Sequence, residues 1–457
     1  MTSRATKSGL SHLFVVGMVL LLSACAASMH SPAPMDLQHI PQDPQAFIDV
    51  THGDHALIPF NDQQRKADTL RTRHYLPWHS TGPLETTQHP FWASDWINNQ
   101  PVYDATLSPL PPAQRKALLA LAQQQTYPSC QQPAITVRRC SARALPTSAP
   151  LFHNPQRPGQ GFPFDQLQHA ALPANTPVLI THQSSDRAWV FVESVAIYGW
   201  IQANAVAKVN KDQIERIETL PLVGVVEDDH GVFDADKQRR FTCRTGMVLP
   251  LLCQGQHTAT LLIAVADEKR CAVLREATIA AEAVAPIPIP LTPANLARVA
   301  APMMGQPYDW GEQFNGRDCS ATLRDLFAPF GVWLPRNSSQ QAKMGHVIPL
   351  SDLSPKQREQ MILAQGIPFA TFISLPGHIM LYIGQHDGQA IVLHTLWGLK
   401  TTSLFGKEGR WLVGKTVLTT LQPGMERNVL WRSIGDLRSR ITQMSVPLHT
   451  AQSVEED

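Results

Sequence analysis

Asp318-Cys319-Ser320-Ala321-Thr322-Leu323-Arg324-Asp325-Leu326-Phe327-Ala328-Pro329-Phe330 is the stretch on which the reading of this chain turns. Its apolar residues fall at Leu323, Leu326, Phe327 and Phe330, which is helical spacing and places Cys319 in the first turn of a buried helix. A helix N-terminus stabilises a thiolate and lowers its pKa, as a cysteine nucleophile requires. A buried structural cysteine fits the same position, so the chemistry needs a base from elsewhere.

That base should be histidine, which takes a thiol proton near neutral pH. Of the 18 histidines, two stand on strand patterns. His378 begins Gly377-His378-Ile379-Met380-Leu381-Tyr382-Ile383-Gly384, and His394 lies in Ile391-Val392-Leu393-His394-Thr395-Leu396. Gln385-His386-Asp387-Gly388-Gln389 between them reads as a hairpin turn. The parity of that turn decides whether the two histidines cooperate. A two-residue loop, Asp387-Gly388, pairs His378 with Trp397 and puts His394 on the other face. A three-residue loop, His386-Asp387-Gly388 with Gly388 left-handed, pairs His378 with Leu396 and His394 with Met380. The histidines then share a face at a diagonal, roughly 7–8 Å between α-carbons, and the second can orient the first. A zinc site built from His378, His386 and His394 competes with this reading, but the turn would have to fold onto the sheet and no acidic general base accompanies it.

Around these residues lie Pro307-Tyr308-Asp309-Trp310-Gly311 and Leu334-Pro335-Arg336-Asn337-Ser338. The order Tyr308…Trp310-Gly311, Asp318-Cys319-Ser320, Pro335-Arg336-Asn337-Ser338, Gly377-His378, His394 resembles the NlpC-type cell-wall cysteine peptidases over about residues 292–420. The resemblance implies a papain-like α+β catalytic domain and a Cys-His-His triad, with Cys319 as nucleophile, His378 as general base and then acid, and His394 as its orienting partner. It implies hydrolysis after γ-D-glutamate and before a diamino acid, diaminopimelate or lysine. It also assigns Tyr308 a place near the thiol, Asp318 and Ser320 the free amino end of the peptide, and Arg336 an acidic group or a bracing role. The family's second glycine after Trp-Gly is Glu312 here, and its glycine two after the cysteine is Ala321. The first departure should alter a turn near the pocket. Related readings are an amidase cutting between muramic acid and L-alanine, and a non-catalytic wall-binding lipoprotein that kept the fold.

Upstream, Asp186-Arg187-Ala188-Trp189-Val190-Phe191-Val192-Glu193, ending in Tyr198-Gly199-Trp200, resembles a bacterial SH3-like domain over 151–215. A second barrel is expected over 220–285, with strands near Leu222–Val226, Met247–Leu252, Thr260–Val265 and Cys271–Leu274. Residues 46–150 read as an irregular N-terminal stabilising region, helical only at Pro112–Gln123. The resemblance extends to multidomain members with this layout, in which Tyr198 helps close the pocket over L-alanine. Pro286-Ile287-Pro288-Ile289-Pro290 is a stiff linker into the catalytic domain, 292–440, with Thr292 as N-cap and Pro293 as first helical residue.

The first residues are a targeting segment, 1–24: Arg4 and Lys7, then the apolar run Leu13–Leu22, too short for an ordinary membrane span. Leu22-Ser23-Ala24-Cys25 resembles a lipobox, which implies cleavage before Cys25 and its acylation. Ala26 follows, with no aspartate to suggest inner-membrane retention, so the periplasmic face of the outer membrane is expected. Residues 25–45 read as a flexible tether. Export permits disulfides, and Cys130 with Cys140 and Cys243 with Cys253 have spacings that suit local pairs. Cys271, in Cys271-Ala272-Val273-Leu274, reads as a core thiol. A net charge of +1 with 16% charged residues gives no electrostatic case for nucleic acid. The expected partners are peptidoglycan peptides and, through Cys25, a membrane; the protein is read as a monomer with no cofactor and no metal.

Overall fold

The structure, a computed structural model, describes residues 33–84, 89–429 and 432–448. The signal segment and Cys25 lie outside the described residues. Among the described residues no helix is long and apolar enough to cross a membrane.

The N-terminal region is more regular than its composition suggests. Helix α1, Phe60–His79, runs for 20 residues, and α2, Trp92–Asn99, and α3, Pro112–Ala122, follow. The sequence hides α1 because it buries little that is aliphatic: Gln63, Ala67, Leu70, Tyr75 and Trp78 face inward. It is held instead by polar contacts. Gln63 donates to the carbonyls of Ile289 (2.6 Å) and Phe330 (3.1 Å), and the Trp78 indole donates to Ala134 O at 2.7 Å. The helix therefore struts the first barrel, the linker and the catalytic domain together. The expected tether is also shorter than 25–45. Ile40 is buried in the catalytic core, and Asp36 accepts from both the amide and hydroxyl of Thr420 at 2.8 Å. A segment with such contacts is pinned, not free.

Two seven-stranded antiparallel barrels come next. The first has the order β3-β2-β6-β5-β4-β1-β7, with β1 Gln132–Thr136, β2 Cys140–Arg143, β3 Gln168–Leu172, β4 Pro177–Gln183, β5 Trp189–Glu193, β6 Tyr198–Gln202 and β7 Val206–Lys208. It thus begins before residue 151: β1 pairs with both β4 and β7 and joins the last strand to the rest of the sheet. After the short helix α4, Lys211–Glu218, the second barrel has the order β10-β9-β13-β12-β11-β8-β14. Its strands are β8 Leu222–Val225, β9 Gly231–Asp234, β10 Arg239–Thr242, β11 Val248–Gln254, β12 Thr258–Ala266, β13 Ala272–Ala280 and β14 Val284–Pro286. All four strands expected there are present. The barrels are locked to each other by Asn175, which accepts from Ala264 N at 2.6 Å, and by Lys208 N donating to Arg270 O at 2.9 Å.

The cysteines of the upstream domains are free. Cys140 and Cys243 are buried in the two barrel cores, while Cys130 and Cys253 are at the surface, so neither expected pair meets. Cys271 is exposed, not a core thiol: it closes the turn from Asp267, to whose carboxylate its N–H donates at 2.7 Å.

The proline linker is seated, with Ile289 and Leu291 buried and Ile289 N donating to Pro329 O. Thr292 caps α5, Pro293–Ala300, by accepting from Asn295 N at 3.2 Å. Helix α6, Cys319–Phe327, then packs on a sheet ordered β15-β21-β16-β17-β18-β19, with β20 (Arg432–Ile434) paired to β18. These strands are β15 His346–Pro349, β16 Phe372–Leu375, β17 His378–His386, β18 Gln389–Ser403, β19 Glu408–Thr419 and β21 Gln443–Val446; α7, Pro355–Gln365, lies between β15 and β16. The domain runs past residue 440, because β21 bridges β15 and β16. Leu323, Leu326 and Phe327 of α6 share one core with Ile379, Leu381, Ile391 and Leu393 of β17 and β18.

Candidate active site

The hairpin settles its parity in an unexpected place. The turn has two residues, Asp387 (φ 48°) and Gly388 (φ 75°), both left-handed, with His386 paired to Gln389. Taken alone that register would set His394 on the wrong face. Between Tyr382 and Gly384 the pairing slips by one: Gly384 faces Ile391, yet Tyr382 faces Val392 and Leu381 faces Leu393. Ile383 is the extra residue of a β-bulge, and Gly384 takes φ 141° to accommodate it. Continued from Leu381–Leu393, the register sets His378 toward Leu396 and His394 opposite Met380, the geometry ascribed to a three-residue loop. Nothing in the sequence distinguishes the two routes, since both end in Asp-Gly. His386, on the far side of the bulge, packs edge-on against Phe47 with centroids 6.4 Å apart. Among the described residues no group of His, Cys, Asp and Glu is arranged for a metal.

His378 Nε2 and His394 Nδ1 lie 2.8 Å apart. His394, 1% exposed, has its Nε2 3.1 Å from Thr419 Oγ1, and that hydroxyl donates to Thr420 O at 2.7 Å. These contacts assign the tautomers. Because the Thr419 proton is spent on Thr420 O, Thr419 Oγ1 must accept from His394 Nε2–H. Burial, and then His378, hold His394 well below the ordinary imidazole range, so it is neutral and its Nδ1 is a bare acceptor. His378 therefore donates Nε2–H to it and keeps Nδ1 free to accept a proton.

Cys319 is the first residue of α6, and Asp318, the N-cap, accepts from Ala321 N at 2.9 Å. The thiol is within hydrogen-bond reach of the Ile379 amide, beside His378, and of the Ser320 amide. Its ionisation runs against the sequence expectation. Burial, and then the Asp318 carboxylate, push the thiol up to about 12, outweighing the two amides and Arg336, which act the other way. Burial, and then Arg440, hold His378 down to about 4 against the opposing pull of Asp318. At neutral pH the pair rests as thiol and neutral imidazole, and the imidazole is in the form that accepts a proton.

The other expected substrate residues gather around Arg336. Its two terminal nitrogens reach Asp318 at 3.1 and 2.6 Å, and one of them donates to Ser320 Oγ at 3.0 Å. Arg336 is 3% exposed and braces the nucleophile helix. Asp318 also accepts from Ser320 Oγ (3.0 Å) and Gly311 N (3.2 Å). Tyr308 is half-buried; burial, then Asp318 and Cys319, raise its hydroxyl far above its usual value. Tyr198 packs on His169 (6.0 Å), with its hydroxyl 3.4 Å from His89 O.

Two contributors, Thr419 and Phe164, carried no signal in the sequence. Phe164, in a loop of the first barrel, forms a wall with residues of the catalytic domain: it packs edge-on against Trp310 (5.3 Å) and Trp397 (5.7 Å), and Tyr308 lies 5.7 Å from Trp397. Gly311 makes the approach possible: a Cβ there would sit 2.8 Å from Gln168 O, and Gln168 donates to Gly311 O at 2.8 Å. A cavity of ≈ 570 Å³ lies elsewhere, at the junction of all four modules between Leu70, Ala174, Met247 and Trp333. None of the triad lines it.

Three family models match the chain. Residues 14–127 match the NLPC_P60 stabilising domain (N-terminal), 150–202 an SH3 domain of SH3b1 type, and 305–407 the NlpC/P60 family. Among solved structures, an NlpC/P60 endopeptidase from Photobacterium damselae subsp. piscicida aligns with TM-score 0.81 and 24% identity, over 93% of this chain and 99% of that one. An NlpC/P60 family protein from Bacillus cereus ATCC 10987 aligns with TM-score 0.43 and 15% identity, over 62% of this chain and 83% of that one. No curated protein sequence matches.

Proposed function

Through its C-terminal domain this chain belongs to the NlpC/P60 family, and we propose that it is a cysteine endopeptidase that cuts peptidoglycan stem peptides between γ-D-glutamate and the diamino acid, on peptides with a free N-terminal L-alanine. The observation that carries the reading is the relay Thr420 O–Thr419–His394–His378, which leaves one nitrogen bare on the imidazole whose chain neighbour, Ile379, turns its amide to the Cys319 thiol at a helix start. His378 Nδ1 takes the Cys319 proton as sulfur attacks the γ-carbonyl carbon. The Cys319 N–H, unpaired within the helix as every first-turn amide is, supplies a donor for the developing oxyanion. The C–N bond breaks as His378 returns the proton to the leaving amine, giving an acyl-enzyme. Water, deprotonated by His378, then hydrolyses the thioester and regenerates the thiol. The wall of Phe164, Trp310 and Trp397 supports the narrower claim, because it packs on Tyr308, which is close enough to feel the Cys319 charge, and a wall there favours a short upstream peptide. We place the enzyme at the periplasmic face of the outer membrane, anchored through Cys25, as a monomer.

The test is mass spectrometry of digests of L-Ala-γ-D-Glu-diaminopimelate and its N-acetylated form, with wild type and Cys319→Ala. Release of L-Ala-γ-D-Glu from the free peptide by wild type alone is expected. Equal rates on both peptides would remove the free-amine claim. Release of the intact stem peptide, with L-alanine as its new amino terminus, from muramyl peptides would make the enzyme an amidase.

A further inference from the structure

Glu312 occupies a backbone position that does not suit it. Its φ is 61°, in the left-handed region that a side chain other than glycine, asparagine or aspartate rarely takes, at a cost on the order of 1 kcal/mol. It is also 3% exposed, although a carboxylate is seldom buried without partners. Its partners are two arginines. Arg324 grips it with both terminal nitrogens, at 3.2 and 2.8 Å, and Arg336 Nε lies 3.1 Å from Oε2. Its carbonyl accepts from Arg139 of the first barrel.

We propose that Glu312 is a positioning residue that sets the enzyme's selectivity for a free amino terminus, an inference that rests on the substrate reading above. Asp318 is the carboxylate nearest the thiol, but Arg336 already covers both of its oxygens. A lone Asp318–Arg336 pair is neutral and offers an ammonium little. Glu312 claims the remaining edge of Arg336, so one guanidinium is divided between two carboxylates and the group of three keeps a net negative charge. The other guanidiniums have carboxylate partners without it. Arg324 already reaches Asp325 (2.9 and 2.6 Å), Arg317 bridges Asp325 (2.8 Å) and Asp228 (2.7 Å), and Arg244 approaches Asp325 at 3.5 Å. Four carboxylates (Asp228, Glu312, Asp318, Asp325) face four guanidiniums (Arg244, Arg317, Arg324, Arg336). Removing Glu312 turns this to three against four and leaves Arg336 undivided on Asp318, so that the carboxylate beside which a cationic amine has to sit is neutralised; restoring the count at Arg324 does not restore that division.

The experiment compares kcat and KM on L-Ala-γ-D-Glu-diaminopimelate and its N-acetylated form. Full-length wild type, Glu312→Gln, Glu312→Gly and the double variant Glu312→Gln/Arg324→Gln are used, each with a thermal melt. Both single variants should lose about tenfold of the free-over-acetylated preference, through a higher KM for the free peptide alone. Glu312→Gly should do so although glycine relieves the backbone. The double variant restores the balance of charges, three against three, and should regain the melting temperature but not the preference. A purely structural Glu312 predicts the opposite: equal loss on both peptides in the single variants, with the preference unchanged, and in the double variant recovery of activity on both peptides with the preference still unchanged. Either outcome overturns the proposal. The double variant decides the matter even if the single variants do not fold. Equal cutting of both peptides by wild type would refute the role of Glu312 and leave the peptidase standing, whereas cutting of neither would refute the substrate reading and the inference with it.

Discussion

Thr419→Val should cripple the enzyme without touching its substrate. Thr419 lies two hydrogen bonds from the reacting imidazole, and its hydroxyl faces His394 from the next strand. Its one task in the relay is to accept from His394 Nε2–H while donating to Thr420 O. Valine is nearly isosteric, so packing is kept, but the Nε2–H is left buried without a partner, which costs about 1–3 kcal/mol. The alternative tautomer, with the proton on His394 Nδ1, avoids that cost. It then donates to His378 Nε2 and forces the His378 proton onto Nδ1, where it blocks the base. A swing of about 1.4–2.8 kcal/mol toward that form lowers kcat about 10- to 100-fold, and KM should not change. Thr419→Ser keeps the hydroxyl and should stay within about threefold of wild type. Steady-state kinetics on the free stem peptide, with near-UV circular dichroism to check the fold, measures this. If folded Thr419→Val keeps a wild-type kcat, the relay does not set the tautomer, and the assignment of His378 Nδ1 as the base fails.

Two other consequences concern titration. Cys319, buried and held near 12, should react with iodoacetamide at neutral pH more slowly than the exposed Cys253 and Cys271. Peptide mapping reads the order, and fast labelling at Cys319 would mean that the pair rests as thiolate and imidazolium. Acid stability follows from the histidines. Burial, the leading cause in each, depresses His74, His169 and His378 to about 4 in the folded state, against 6.5 unfolded. A depressed folded value means the stability is fully present above pH 6.5 and is lost as the pH falls from 6.5 toward 4, because the unfolded chain binds protons that the folded one refuses. Each contributes up to about 3 kcal/mol. A melting temperature that is flat from pH 7 to 4.5 would show that these imidazoles are not held neutral.

Much of this was legible in the sequence, and the rest was hidden for identifiable reasons. The periodicity of Leu323, Leu326, Phe327 and Phe330 placed Cys319 at a helix start, because that helix packs on a single core. The second barrel's strands were visible as Val- and Leu-rich runs. Helix α1 was not, since Gln63 and Trp78 hold it through carbonyls of other modules. The thiol's ionisation was misjudged because a helix terminus is local, whereas burial depends on the whole fold. Phe164 and Thr419 meet the site only through tertiary packing, and no spacing announces them. Glu312 showed only as a glycine out of place; its two arginines, 12 and 24 residues on in the chain, gave it meaning.

The bulge at Ile383 makes the hairpin behave like a reading frame. One residue added to, or taken from, the segment between the bulge and Gln389 sends His394 to the opposite side of its strand, whatever that residue is. Two changes of opposite sign restore it. With the bulge kept, a deletion in that segment should therefore be suppressible by a single insertion at the Asp387-Gly388 turn, an intragenic suppressor far from the thiol that repairs phase and not chemistry, whereas loss of Ile383 itself, the unpaired residue, leaves Tyr382–Val392 and Gly384–Ile391 in step and His394 where it was. In a deep insertion–deletion scan, singles in this segment should die and compensating pairs should survive, so that the scan reads out the triad's facing without measuring a single turnover.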